Sequence, residues 1–175
     1  MHYRLATEQD ISAIAKLHAL SWQNAYRGML SDSYLDQEVY PERLRVWEER
    51  LRDSNKDQLV VVAEDEQKLV GFVCAFGEAD KRWGTLIDNL HTHPSARRQG
   101  VGKSLTRQVA KWIVSNYGSH AMHLFVFSAN KPARLFYEHM DGRGYESTEV
   151  AMPGGKLVPS IKYTWETVKP ILSEQ

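Results

Sequence analysis

The chain has 175 residues, of which 42% are hydrophobic, 25% charged and 10% aromatic. That length suits one domain with a real core, and that composition excludes a disordered or fibrous chain. Lys and Arg total 22, as do Asp and Glu, so the net charge is zero; a dedicated nucleic-acid binder, whose affinity comes from neutralising phosphates, normally carries a basic excess.

Residues 1–8 contain no apolar signal core, and no apolar stretch nears the roughly 18 residues that a membrane span needs. A cytoplasmic protein that binds neither membrane nor nucleic acid is expected. Residues 3–5 read as a short strand. Thr7 reads as an N-cap, with Asp10 in the first turn of the helix that follows. Ile11, Ile14, Ala15, Leu17, His18 and Trp22 recur at helical spacing, with His18 read as core. Residues 31–35 start a second piece with Ser31 and Asp32 as cap candidates. Pro41 then opens a further helix, with Leu44, Trp47 and Leu51 on one side and Arg43, Arg45, Glu48 and Glu49 on the rest.

The texture changes at residue 59. Residues 59–63 are a buried strand by their valine content, 64–67 a polar turn, and 69–76 the return strand of a hairpin. The single cysteine, Cys74, lies in that strand and reads as a small buried hydrophobe. A lone cysteine forms no internal disulfide and suits a reducing compartment. Residues 84–91 are a third strand. Val101, Leu105, Val109, Trp112 and Ile113 mark a long amphipathic helix. Residues 122–127 are a strand flanked at its start by His120 and His123, read as surface or edge residues. Residues 133–137 lie in a short helix. Residues 144–152 and 157–165 read as a closing hairpin over Pro153-Gly154-Gly155. Strand, helix and strand over residues 85–127 require a parallel pair with a crossover helix. The fold class is therefore α/β or α+β, expected as one domain over residues 1–175.

The segment Arg97-Arg98-Gln99-Gly100-Val101-Gly102-Lys103-Ser104 lies between a strand and that long helix. Glycines let the backbone approach a ligand, and a helix N-terminus offers unpaired N–H groups with partial positive charge, so the segment suits an anion such as phosphate. A tight turn with solvated basic residues fits equally. A Walker A loop requires glycine where Arg97 stands. A dinucleotide fingerprint requires glycine or alanine where Leu105 stands, and an acidic residue near Gly118-Ser119-His120. The pattern Arg/Gln-x-x-Gly-x-Gly/Ala is met in full by Arg97, Gly100 and Gly102. That is the pyrophosphate loop of the GNAT N-acetyltransferase superfamily, which this sequence resembles.

Further segments carry the same resemblance. Asn130-Lys131-Pro132-Ala133-Arg134-Leu135-Phe136-Tyr137-Glu138 is similar to the family's Asn-x-x-Ala-x-x-Phe-Tyr-Glu segment. Residues 86–94 resemble its fourth strand ending in proline, and residues 3–10 its opening strand and helix. One departure stands out: the Gly-aromatic pair after the tyrosine, here Gly144-Tyr145, comes three residues late. The resemblance implies a mixed, mostly antiparallel sheet with parallel fourth and fifth strands that splay apart. It implies acetyl-CoA as acyl donor and direct transfer of the acetyl group to a primary amine, on a small molecule or a peptide.

By the same resemblance, the strand stretch Leu90, His91 and Thr92 would hold the pantetheine and thioester carbonyl through its backbone. The amides of Arg98, Gln99, Gly100, Val101, Gly102, Lys103 and Ser104, behind Arg97, would hold the pyrophosphate. Asn130 would bond the pantetheine arm, and Ala133, Phe136 and Tyr137 would line the cofactor. The reaction needs a deprotonated amine, an N–H donor for the oxyanion (here Leu90) and an acid for the departing thiolate. Tyr137 is the expected acid, since a phenol with an ordinary pKa of about 10 is protonated at neutral pH.

The base is sought on the strand before the loop. Leu86, Asp88, Leu90 and Thr92 share one face, and Ile87, Asn89, His91 and His93 the other. An acidic residue in an apolar strand is costly unless paired or solvated, so Asp88, on the face assigned to the cofactor, is the expected base and Glu78 the reserve. A structural salt bridge is the competing reading of Asp88. His91 and His93 point the same way but lack further ligands for a metal, so none is expected. Trp22 and Tyr26 fit a substrate wall and a core equally. Exposed strand edges, or a hydrophobic face near Trp165, would suit a homodimer. The reading from a different class is a non-catalytic acyl-CoA-binding module or sensor.

Overall fold

The computed structural model describes residues 1–53, 55–153 and 156–173. Seven strands pair in the order β1-β2-β3-β4-β5-β7-β6: β1 (His2–Leu5), β2 (Gln58–Asp65), β3 (Lys68–Asp80), β4 (Gly84–Thr92), β5 (Met122–Phe127), β6 (Arg143–Ala151) and β7 (Leu157–Trp165). Among the described residues there are five α-helices: α1 (Ile11–Ala25), α2 (Val39–Arg52), α3 (Val101–Asn116), α4 (Lys131–Glu138) and α5 (Lys169–Ser173). The chain forms two compact units. One comprises Met1–Cys74 and Asn89–Thr106, the other Ala75–Asp88 and Arg107–Gln175.

In the first unit β1 runs antiparallel to β2, with His2 opposite Glu64 and Leu5 opposite Val61. Arg4 ties this edge to the start of α1. Its guanidinium donates to both oxygens of Asp10, at 2.7 and 2.9 Å, and to Glu64 at 2.5 Å. Asp10 also accepts the Thr7 backbone N–H at 2.8 Å, so the expected cap and first-turn acid meet. Glu66 and Gln67 both take positive φ (47° and 66°), which makes the β2–β3 link a two-residue turn matching the twist of its strands.

Pro41 does not open α2. The helix begins at Val39 and continues a π turn over Tyr34–Glu38, whose closing bond runs from Val39 N–H to the Tyr34 carbonyl. Pro41, which has no N–H to donate, therefore lies inside a continuous helical run that starts at residue 32, just after the wider π turn.

Sequence alternation sends Phe72 and Gly71 to opposite faces of β3. On the Phe72 face, α1 and α2 pack through His18, with ring centroids 5.7 Å apart, and Trp47, at 5.1 Å. On the Gly71 face lies the first part of α3. A Cβ on Gly71 would come within 2.9 Å of Val101 Cγ1 and 3.2 Å of the His91 carbonyl oxygen, so glycine is what lets the helix approach. Cys74 is fully buried, as its apolar run indicates.

In the second unit β4 pairs with β5 in parallel, Thr85 opposite Met122 and Leu86 opposite His123. The described ladder ends there, although β4 runs to Thr92 and β5 to Phe127. β5 pairs antiparallel with β7 and β7 with β6, completing the mixed sheet. His123 is not an edge residue. β5 is flanked by strands on both sides, and His123 is buried with Nδ1 3.1 Å from the Trp83 carbonyl oxygen. Trp165 offers no exposed hydrophobic face either: it is buried and donates its indole N–H to the Met140 carbonyl at 2.7 Å. β6 forms one end of the sheet and is mostly exposed.

The late Gly144-Tyr145 pair is absorbed after α4. Asp141 turns left-handed (φ 61°), Gly142 N–H bonds the Tyr137 carbonyl at 2.9 Å, and β6 shifts register between Gly144 and Glu146. Gly154 and Gly155 of the expected closing turn lie outside the described residues.

Candidate active site

In the first unit β4 ends at Thr92, and one 3-10 turn over Pro94–Ala96 leads to the glycine loop. His93 caps that turn, with Nδ1 accepting from the Ser95 N–H at 3.2 Å. Arg98 and Gly100 then take left-handed conformations, φ 61° and 77°. A Cβ on Gly100 would meet nothing within 4 Å, so the backbone angle and not crowding favours glycine there. Arg97, Arg98, Gln99 and Gly100 are exposed, Val101 is buried, and Gly102, Lys103 and Ser104 are half-buried.

The first helical bond of α3 runs from Ser104 N–H to the Gly100 carbonyl at 2.9 Å. The amides of Val101 and Gly102 precede it and have no partner within the helix. They add to the partial positive charge of the helix end, beside the cationic Arg97 and Arg98. The loop thus has the charge, exposure and donor set that a pyrophosphate requires.

Along β4 the expected alternation holds. Asn89 Oδ1 accepts from Arg50 Nη1 of α2 at 2.7 Å. The His91 ring lies 4.7 Å from that of His18 and 5.2 Å from that of Phe72. Leu90 and Thr92, on the other face, are half-buried. The side chain of His91 is therefore engaged with α1, and only its backbone lies with Leu90 and Thr92. With His93 held by Ser95, the two histidines serve separate local structures. Among the described residues no three His, Cys, Asp or Glu side chains group as a metal site would.

The same unit holds an aromatic and imidazole cluster. The Trp47 indole N–H donates to His18 Nδ1 at 3.1 Å. Trp22 is buried at 7% exposure, edge-on to His18 at 5.1 Å and to Tyr26 at 5.5 Å, under the Arg43 guanidinium at 4.7 Å. That favours core for Trp22, whereas Tyr26 is partly exposed. Burial pushes the Tyr26 phenol up to about 12. Burial, then the positive groups His91, Arg43 and Arg50, hold the His18 imidazole well below its ordinary value. Burial, then Arg43, takes His91 down to about 4. Both rings are neutral at pH 7.

In the second unit Asn130 caps α4, its carboxamide oxygen accepting from the Ala133 N–H at 3.3 Å. That bond occupies the carboxamide oxygen and orients the side chain. Ala133, Phe136 and Tyr137 are all half-buried, and α4 buries no residue fully. Tyr137 lies edge-on to Phe136 at 5.3 Å and to Trp165 at 6.1 Å. Asp88 is exposed on β4, and Glu78 is exposed at a left-handed kink of β3 (φ 48°).

Three features escaped the sequence reading. The seat that Gly71 provides for α3 was signalled only by a glycine inside an apolar strand. The Trp47–His18 bond and the Arg50–Asn89 bond join residues far apart in sequence, and no local pattern announces them.

The profile of the acetyltransferase (GNAT) family matches residues 15–142. A curated relative, the uncharacterized N-acetyltransferase YuaI of Bacillus subtilis, is 30% identical over 139 residues, which cover 77% of this chain and 76% of that protein. Among solved structures, the PaiA N-acetyltransferase of Thermoplasma acidophilum in complex with coenzyme A is similar at TM-score 0.67 and 21% identity, covering 93% of this chain and 98% of its own. A GCN5-related N-acetyltransferase of Rhodopseudomonas palustris is similar at TM-score 0.73 and 19% identity, covering 93% of each chain.

Proposed function

Because the chain belongs to the GNAT acetyltransferase family, whose members take acetyl-CoA as acyl donor, we propose that it transfers the acetyl group directly to a primary amine through a tetrahedral intermediate. The observation that carries this reading is the exposed loop before α3, with the unbonded amides of Val101 and Gly102 beside Arg97 and Arg98. In this reading the amides of residues 98–104 hold the pyrophosphate. The backbone of Leu90, His91 and Thr92 holds the pantetheine and thioester. Asn130 bonds the pantetheine arm through its NH2 group, and Ala133 and Phe136 cover the cofactor's side. The half-exposed apolar residues of α4 support that last assignment, since folding alone leaves them uncovered.

The amine must attack with its lone pair free. Asp88, exposed on β4, takes its proton directly or through water. The Leu90 N–H stabilises the oxyanion, a contribution of about 3–4 kcal/mol for a well-placed donor. Tyr137 gives its phenolic proton to the departing thiolate. We take residues 1–175 as a single catalytic domain, because the boundaries between the two units fall inside β3, β4 and α3. Tyr26 remains a candidate wall of the acceptor site, and Trp22 supports it from the core. Among the described residues no helix is long and apolar enough to cross a membrane.

Acetyl-CoA at about 100 times Kd should stabilise the fold by about 2.7 kcal/mol and raise Tm by roughly 5–10 °C, with ATP and NAD as inactive controls. Tyr137→Phe should then lower kcat at least about 100-fold in an amine-dependent thiol-release assay while acetyl-CoA still raises Tm. No rise with acetyl-CoA would overturn the reading.

A further inference from the structure

Among the described residues, two side-chain donors of the first unit are buried without an acceptor: His18 Nε2 and Arg43 Nε. Their protonation is settled by chemistry. Trp47 Nε1 can only donate, so His18 Nδ1 accepts and the neutral ring carries its proton on Nε2. The guanidinium always carries a proton on Nε. Both donors border one ring, Trp22, which lies 5.1 Å from the His18 ring and 4.7 Å from Arg43 Cζ. Arg43 spends one terminal nitrogen on Glu42 at 2.7 Å, and Glu42 also accepts the Tyr34 hydroxyl. The cluster therefore lacks acceptors, not donors, and one of its two donors is cationic. His18 in turn stacks on His91, which stands between Leu90 and Thr92 on β4.

We propose that His18 Nε2–H and Arg43 Nε–H form an oxyanion-binding subsite for the acceptor, which is therefore an amine that also carries a carboxylate. This rests on the acetyltransferase reading above. A polycationic amine would meet the Arg43 guanidinium with like charge.

The test compares amino acids with their decarboxylated amines, pair by pair, in thiol release from acetyl-CoA, after the acetyl-CoA shift in Tm has been measured. The carboxylated member of at least one pair should have the higher kcat/KM. In Arg43→Gln that preference should fall about tenfold or more, since a hydrogen bond to a charged group is lost. Arg43→Lys, which keeps the charge but not the Nε donor, serves if Arg43→Gln fails to fold. Equal or reversed preference in every pair, no thiol release with either member, or a preference unmoved in the variant (donors that hold only water) would overturn the subsite. A Tm rise with acetyl-CoA alongside any of these results leaves the acetyltransferase reading standing, whereas no rise overturns both.

Discussion

Helix α1 buries eight of its fifteen residues, whereas α4 buries none of its eight. Both carry large apolar side chains on one face. For α1 the covering surface is supplied by the chain itself: Phe72 and Trp47 close over His18, and Trp22 packs beside them. For α4 the residues Ala133, Phe136 and Tyr137 stay half-exposed. Apolar surface stabilises a fold only in proportion to the area withdrawn from water. The first helix is therefore built for stability. The second leaves apolar surface half-exposed, which the proposed cofactor role would cover.

Two truncations test that contrast. Phe72→Ala removes a fully buried ring and should lower the unfolding free energy by about 3–5 kcal/mol in denaturant titration. Phe136→Ala should stay within about 1 kcal/mol of the parent, yet shrink the Tm rise produced by acetyl-CoA. Similar stability losses in the two variants would erase the distinction between a structural and a ligand-covering face.

The cluster under α1 also has an electrostatic signature. His18 and His91 bind protons less readily in the folded chain than in the unfolded one, where histidine titrates near its ordinary value of about 6.5. Below about pH 6.5 the unfolded chain takes up protons that the folded chain refuses. Stability is therefore full above that pH and falls as pH drops toward the His91 value of about 4. Each histidine contributes a slope of at most about 1.4 kcal/mol per pH unit. Asp10 and Glu64 titrate in a lower window: bonds from Arg4 hold both carboxyls below their ordinary range, so their contribution is lost only under more acid conditions. Unfolding free energies at pH 7.5 and 5.5 should differ by about 3 kcal/mol through the two histidines together, and His91→Gln should roughly halve the difference. A flat profile in the parent would mean that the cluster admits protons freely.

What the sequence disclosed follows the range of the forces involved. The strands, α1, the span of α3 and the loop at residues 97–102 are written in local periodicity and in glycine spacing. α2 starts upstream of the expected position because Pro41 only resembles a helix opening. It takes the π turn at Tyr34–Glu38 to carry the chain into that helix from upstream. His123 departs from expectation for a different reason. Its burial depends on which strands flank β5, and the order in which strands pair is not a local property. At the site, local motifs single out the candidate residues. What was illegible is the support behind them: Gly71 beneath α3, Arg50 on Asn89, and the Trp47 bond that sets the His18 tautomer.

The smallest expected effect is at Gly100, and it probes the loop rather than either helix face. Alanine there finds open space but must hold φ near 77°, a left-handed conformation that costs a residue with a Cβ about 1–2 kcal/mol. If the angle serves only to turn the chain, Gly100→Ala should lower Tm by a few degrees and leave the acetyl-CoA shift intact. If the angle aims the Val101 and Gly102 amides at a pyrophosphate, the variant relieves its strain by rotating those amides, and the acetyl-CoA shift falls by more than the stability does. The second outcome is the expected one, because the amides lie directly after the strained residue and before the first helical bond at Ser104, where no hydrogen bond of the helix holds them in place.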